Sequence, residues 1–439
     1  MTERFFSLFI KYIYSKKNMD FLMNDEHRDL IFIGSMKAII RKNGEYEDNV
    51  AQNLLNCFAK MNLSVEMLFP PVPSNKLKKF TGVLPHLKNE AHILPINPYK
   101  FKEKKTFGLR FVSSYILNTT YSEAKSALQT YMELFKKRKP RLIVLYNETG
   151  ALRYPAVVAA KKLGIPVVAI QHGIIYHGHP SYFHIPDNIA QDDDYINYVL
   201  PDKTCVYGNY EKKLLETYGS FPSEKIVVTG APRYDALFKK SSERKDDILN
   251  KYGIPKGKKY LLWATQTHDK SMSKSGENLV NADNVFSQMV SMKEWHLIIK
   301  LHPGENQKAK LYRKMSKKYG LNITIIGRDA DTYELLRTVD AVLIKNSTVG
   351  MEAVFAGKPV LLLNLVKSHS LKTYTDYGLG LVINEGKDIK NILKEISDEK
   401  FGKEFEKRRE HFMYERCANA GKATKAVCTV IENALRRKK

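Results

Sequence analysis

Short apolar runs alternate with amphipathic segments along most of the chain, in the rhythm of strand and helix. Leu30 to Gly34 (LIFIG) is apolar up to its glycine, as a parallel strand buried on both faces requires. Asp48 to Lys60 places Val50, Leu54, Leu55 and Phe58 at helical spacing, and a strand is expected over Val65 to Phe69. Pro70 to Thr106 is rich in Pro and Lys with weak periodicity, which predicts an irregular, partly mobile excursion. A long helix is expected from Ser122 to Arg138, with Pro140 stopping it. The clearest unit follows. Arg141 to Tyr146 reads as a strand, Tyr154 to Leu163 as a helix ended by Gly164, and Pro166 to Gln171 as the next strand. Strand, helix and strand at this spacing make a βαβ crossover.

The pattern repeats. Strands are expected at Lys203 to Tyr207, Lys225 to Thr229, Tyr260 to Thr265, His296 to Leu301, Asn322 to Ile326, Ala341 to Ile344 and Val360 to Leu363, with helices between, among them Tyr210 to Tyr218. Beyond Asp388 the chain is charged and helical. The stretch from Asp187 to Lys203 is polar or turn-forming and reads as the break between two halves. The expected layout is therefore an N-terminal extension (1–28), an N-terminal domain (29–199), a C-terminal domain (200–387) and charged helices (388–439). Each domain is expected to be a doubly wound α/β unit, the two facing across a cleft that holds two substrates. In such sheets ligands bind beyond the carboxyl ends of the strands.

Length agrees, since 439 residues exceed one ordinary core and suggest two domains of ~200 residues. Four scattered cysteines (Cys57, Cys205, Cys417, Cys428) without a CxxC pair indicate neither a zinc knuckle nor a disulfide scaffold, and a reducing cytoplasm is the expected compartment. The net charge of +24 favours polyanionic partners: nucleic acid, anionic headgroups or phosphorylated substrates. No apolar run reaches the ~18 residues of a spanning helix. The aromatic start, Phe5 to Tyr14 with Lys11 inside it, reads as an interfacial anchor or as an overlong start, with Met19 and Met23 as alternative initiators.

Polar clusters gather at predicted strand ends. Asp340 to Leu365 runs strand, Lys345-Asn346-Ser347-Thr348, helix from Val349 to Gly357, then Pro359 and a strand. Helix N-termini offer unpaired amides and partial positive charge, which suit phosphate; Ser347 and Thr348 can cap the helix or bind phosphate oxygens, and Glu352 can accept from a sugar hydroxyl. Gln171-His172-Gly173 supplies an imidazole able to act as a general base, beside a glycine that lets a ligand approach. His177, His179 and His184 follow without a metal-ligand pattern, and no metal is expected. Lys300-Leu301-His302-Pro303 aims a second imidazole from a strand tip. Thr229-Gly230-Ala231-Pro232-Arg233 offers a tight turn and a guanidinium, Thr265-Gln266-Thr267-His268 offers hydroxyl and amide groups, and Glu148 is a second candidate base. Each has a plain structural alternative: a cap, a surface ion pair, or a strand stopped by proline. No GxGxxG follows the first strand, and neither GxxxxGK[ST] nor GxSxG occurs, which disfavours hydride transfer, P-loop hydrolysis and a serine nucleophile elbow.

Together, QHG, TGAPRYD, KLHP and NSTVGMEAVFAGKPV resemble the GT-B glycosyltransferase superfamily from about Asp29 to Glu385. The nearer likeness is to its branch of capsule and teichoic-acid polymerases (CDP-glycerol glycerophosphotransferases), capsule Kdo transferases and polysialyltransferases; the non-hydrolysing UDP-N-acetylglucosamine 2-epimerases share the architecture. The resemblance implies a donor nucleotide, CMP-, CDP- or UDP-linked, on the second domain, with His302, Ser347 and Thr348 at its phosphates and Glu352 near its sugar or ribose. Gly230, Arg233, Thr265, Thr267, Lys300, Pro303, Asn346 and Gly350 complete the expected donor set. The acceptor would enter from the first domain, where His172 or Glu148 takes the proton, with Gly173, His177 and His179 on the acceptor side. His302 counts with His172 and Glu148 as catalytic. Helix dipoles would stabilise the leaving nucleotide without metal or other cofactor. The polysialyltransferase acidic-acidic-glycine motif is not evident, and the epimerase Gly-Gly step after the serine is missing.

The leading expectation is a metal-independent transferase. It would move a glycosyl or polyol-phosphate group to a surface polysaccharide or lipid-linked glycan, in the cytoplasm and peripheral on an anionic membrane. The alternatives are a UDP-sugar 2-epimerase and a basic nucleic-acid-binding protein; the latter lacks a recognisable motif.

Overall fold

The structure, a computed structural model, describes residues 26–34, 39–42, 45–48, 51–69, 91–93, 109–146, 148–150, 152–179, 182–184, 186, 189, 198–239, 243–266, 277–302, 305, 308–327, 330–345, 347–363, 372–383 and 389–436. The aromatic start, most of the Pro- and Lys-rich excursion, Thr267, Pro303 and Asn346 lie outside the described residues.

The predicted apolar runs are strands, and they form two parallel sheets. In the first, β1 (Leu30–Ile33), β4 (Val65–Phe69), β5 (Ala91–Ile93), β6 (Leu142–Tyr146), β7 (Val167–Ile170), β8 (Lys203–Val206) and β9 (Ile226–Val228) lie in the order β5-β4-β1-β6-β7-β8-β9. In the second, β10 (Lys259–Ala264), β11 (Trp295–Lys300), β12 (Ile323–Ile326), β13 (Ala341–Ile344), β14 (Val360–Leu363) and β15 (Gly380–Ile383) lie in the order β12-β11-β10-β13-β14-β15. Each order runs outward from its first strand, then returns to that strand's other side. This is the doubly wound arrangement, and its reversal point is where such folds bind ligands. The reversals fall between β1 and β6, and between β10 and β13.

Four strands were not foreseen. A short antiparallel hairpin, β2 (Ile39–Lys42) with β3 (Glu45–Asp48), precedes the helix Ala51–Lys60, which begins after Asp48. Strand β5 interrupts the expected irregular excursion and pairs with β4. Strand β15 opens on Gly380, where a Cβ would stand 2.5 Å from Leu362 Cδ1, so no side chain there signals a strand. The helix before β6 is also longer than expected, Leu109–Arg138.

The domain boundary is corrected. Strands β8 and β9 pair onto β7, so they extend the first sheet rather than opening the second. The polar stretch before β8 ends inside the first unit: the Asp202 carboxylate accepts from the Val167 amide (2.8 Å) and pairs with Lys161 (2.6 Å). The chain divides into Met1–Arg233 with Ala418–Lys439, and Tyr234–Cys417. The last helix, Ala423–Arg436, thus belongs to the first unit. It buries Val427, Cys428, Ile431 and Leu435 with Leu54, Leu55 and Phe58 of helix Ala51–Lys60. Cys57 and Cys428, 371 residues apart, lie side by side in this seam with their Cα atoms 6.8 Å apart, a pairing that no local spacing announces.

Gly230 belongs to this return. Its φ is +80°, and a Cβ there would collide with the Ala418 carbonyl oxygen and stand 2.9 Å from Ala423 Cβ. The Ala418 amide donates to the Tyr207 carbonyl (3.0 Å), and Asn419 Nδ2 to that of Thr229 (3.3 Å). A Gly230→Ala protein is expected to lose at least about 2 kcal/mol of stability in urea unfolding, because strain and a backbone collision add. An unchanged midpoint would refute this account of the glycine.

Candidate active site

In the second unit the chemistry-bearing residues stand along the carboxyl edge of three neighbouring strands. Ala264 of β10 is in register with Lys300 of β11, and Trp263 with Leu343 of β13. Thr265 therefore ends the middle strand, with His302 beyond one neighbour and Ser347 beyond the other. At about 4.8 Å per strand the two outer tips are roughly 10 Å apart. Thr265 is buried, and its hydroxyl accepts from the His302 amide (3.0 Å) and faces the Lys300 carbonyl (3.4 Å). Its structural work is to hold the tip that carries His302. The Glu305 amide closes the turn onto the His302 carbonyl (2.8 Å), and the buried Glu305 carboxylate pairs with Lys308 (2.6 Å). The His302 side chain is exposed. Desolvation at the strand tip holds its imidazole below the ordinary 6.5, with Glu305 opposing and the Lys300 charge assisting. At neutral pH it is an uncharged ring with one N–H to donate.

The Ser347 turn differs in detail from the expected fan of open amides. The amides of Gly350, Met351 and Glu352 bond to the carbonyls of Ser347 and Thr348, and the Val349 amide reaches Ser347 Oγ (3.3 Å). Thr348 occupies the cap position with helical dihedrals and makes no side-chain cap bond. The helix Val349–Phe355 still directs the positive end of its dipole to the turn. Glu352 is buried one turn in. Gly350 serves packing, since a Cβ would stand 2.6 Å from Ile344 Cδ1 and 2.7 Å from the Tyr374 ring.

In the first unit the cluster sits at the ends of β6 and β7. Glu148 follows β6 at the reversal point. It is only 1% exposed. Burial pushes its carboxyl from 4.5 to about 7, while its own amide, the Tyr182 hydroxyl and the Arg153 charge pull less strongly the other way. It does not cap the following helix, Tyr154–Lys162, whose cap position is Arg153. The Tyr146 hydroxyl donates to the His172 carbonyl (3.0 Å). Gln171 braces the same turn, donating to the Gly173 carbonyl (2.7 Å) and accepting from the Tyr207 amide (2.8 Å). The His172 ring stacks at 6.5 Å on buried Tyr182, which touches His179 at 5.2 Å. Burial lowers the His179 imidazole below 6.5.

The structure thus gathers Glu148, His172 and His179 around Tyr182. His177 stands apart, exposed, against Phe183 and Tyr218. Gly173 leaves open space at its Cβ position. Thr265, Lys300, His302, Ser347, Thr348, Gly350 and Glu352 share the second unit's carboxyl edge. Gly230 and Arg233 do not: both lie in the first unit, beyond β9. Sequence reasoning missed Tyr146 and Tyr182 and quoted Gln171 only as the neighbour of His172; the contribution of all three is to hold others. Only Gln171, immediately after an apolar strand, carried a local signal. Among the described residues no three His, Cys, Asp or Glu side chains converge as metal ligands, and no helix is long and apolar enough to cross a membrane.

Residues 165–433 match the family described as CDP-Glycerol:Poly(glycerophosphate) glycerophosphotransferase. No curated protein sequence matches the chain. Among solved structures, the UDP-GlcNAc 2-epimerase of Neisseria meningitidis bound to UDP-GlcNAc is similar at TM-score 0.60 and 15% identity, over 93% of this chain and 100% of that one. The wall teichoic acid polymerase TagF is similar at TM-score 0.56 and 13% identity, over 100% and 99%. S. aureus MnaA with UDP is similar at TM-score 0.55 and 17% identity, over 93% and 97%. At these identities the likeness concerns the fold, which is the GT-B fold of two Rossmann-like domains.

Proposed function

Since this chain belongs to the CDP-glycerol:poly(glycerophosphate) glycerophosphotransferase family, we propose that it moves glycerol phosphate, or a closely related polyol phosphate, from a CDP-linked donor to an anionic cell-wall polymer. It is a nucleotide-dependent transferase, and family membership displaces the nucleic-acid-binding alternative. One observation supports the site assignment above others: both reversal points of strand order carry the chemistry, Glu148 in the first sheet and the Thr265 and Ser347 tips in the second. In this reading the second unit holds the donor, with the His302 N–H and Lys300 ammonium at the diphosphate and the Ser347–Thr348 hydroxyls beside them. The first unit presents the acceptor hydroxyl to Glu148 or His172. The hydroxyl oxygen forms a bond to the donor's terminal phosphorus as the bond to CMP breaks. The proton passes to the base and the electron pair leaves with CMP. Lys300, His302 and the turn dipole offset the departing charge, so no metal is assigned to the step.

The net charge of +24 suits a polyanionic acceptor and a peripheral place on an anionic membrane surface. Incubation with CDP-glycerol and a glycerol-phosphate oligomer, with EDTA present, is expected to release CMP and lengthen the oligomer. CDP should also raise the melting temperature, because it binds only the native form. CMP release without acceptor growth would count against transfer, and release of an epimerised sugar nucleotide from UDP-GlcNAc would favour the epimerase alternative.

A further inference from the structure

The seven-residue helix Val349–Phe355 is too short to hold its own position, because isolated helices of this length are not stable in water. Its place is set from its two ends. At the front, the hydroxyl of buried Tyr374 donates to the Ser347 carbonyl (2.9 Å). The Tyr374 ring lies in a slot cleared by two glycines: a Cβ at Gly350 would stand 2.7 Å from its Cζ, and one at Gly380 would stand 2.8 Å from its Cβ. At the back, Arg409 of helix Glu399–Arg416 donates from Nε to the Val354 carbonyl (2.8 Å) and from Nη2 to the Phe355 carbonyl (2.9 Å). The Phe355 carbonyl is one that the end of a helix leaves without an intrahelical partner, while that of Val354 also accepts from the Gly357 amide (3.0 Å). Phe355 is further held between Tyr234 (5.1 Å between ring centres) and Phe412 (6.0 Å). Burial and the neighbouring Glu352 charge keep the Tyr374 phenol protonated at any working pH, so it is a constant donor.

We infer that Tyr374 is a positioning residue for donor recognition: its hydroxyl fixes the Ser347 carbonyl, and so the Ser347–Thr348 turn, while Arg409 fixes the far end of the same helix. The inference rests on the assignment of that turn to the donor. Neither residue touches the donor in this account; both decide where the turn stands. Beyond the turn's own main-chain bonds, the Tyr374 hydroxyl ties its front to the surrounding fold and Arg409 ties the helix behind it, so losing the front tie frees the ligand-facing end first.

The test uses the full-length protein, calorimetric titration with CDP and steady-state kinetics with CDP-glycerol. Tyr374→Phe keeps the ring in its slot and removes only the O–H. It is expected to weaken CDP binding and raise the donor KM by up to about tenfold, the weight of one net hydrogen bond. The acceptor KM and kcat are expected to stay within about twofold. Arg409→Ala should move the donor KM in the same direction, and Arg409→Lys should recover part of it. Unchanged CDP affinity in Tyr374→Phe overturns the inference, as does an equal fall of every kinetic parameter together with the melting temperature. If Tyr374→Phe does not fold, the Arg409 pair decides by the same criterion. Failure of the unaltered protein to bind CDP would instead reject the donor-site reading, and this inference with it.

Discussion

Transfer by a His302→Ala protein is expected to fall by about 10²–10³-fold, the cost of removing one donor aimed at developing charge. The melting temperature should barely move. The imidazole is exposed, and the turn that carries it is closed by main-chain groups and the Thr265 hydroxyl, all of which survive the substitution. The loss should appear mainly in kcat, because the leaving nucleotide gains most of its charge in the transition state. His296 provides the contrast. It lies on the same strand, is buried, and its Nε2 meets the Thr324 hydroxyl at 2.9 Å. Replacing it should lower stability before chemistry. Normal turnover in His302→Ala would remove the KLHP tip from the site.

The second large effect concerns Glu148, and it has two readouts of opposite sign. As the base, Glu148 must be ionised, so the rate of the unaltered protein should climb as pH rises through about 7. Glu148→Gln should cost about 10²–10⁴-fold and abolish that limb. If the limb persists in Glu148→Gln and disappears in His172→Ala, the imidazole is the base instead. Stability should move the other way. The folded carboxyl is raised from 4.5 to about 7, so its stabilising contribution is complete below 4.5 and lost as pH rises through 7. Above that, holding the buried ion costs on the order of 3 kcal/mol. Glu148→Gln should therefore melt higher than the unaltered protein at pH 8 and nearly level with it at pH 5. A lower melting temperature at pH 8 would contradict the burial account.

Most strands were legible because parallel sheets covered on both faces leave little room for polar residues; Leu142–Tyr146 and Ala341–Ile344 are apolar throughout or nearly so. What was not legible is which sheet a strand joins. Lys203–Val206 looks the same whether it opens a second sheet or extends a first. The Asp202 side chain that ties the preceding stretch to Val167 is one more polar residue in a polar run. Polar groups at strand tips were found easily, yet their tasks were not. The Thr265 hydroxyl braces a neighbouring strand, Gly230 makes room for the returning chain, and Gly350 makes room for an aromatic ring. Tyr374 and Arg409 gave no local signal, because the carbonyls they hold are 27 and about 55 residues away.

The late return of the chain at Ala418 bears on the order of completion during synthesis. Domains fold as units, N-terminal first, as the polypeptide leaves the ribosome. Here the early unit cannot finish early: Leu54, Leu55 and Phe58 wait for a cover made only after Cys417, while the stretch from Tyr234 to Cys417 emerges whole. The nascent protein should therefore complete its later lobe first, with the opening one left ajar until the helix Ala423–Arg436 has emerged.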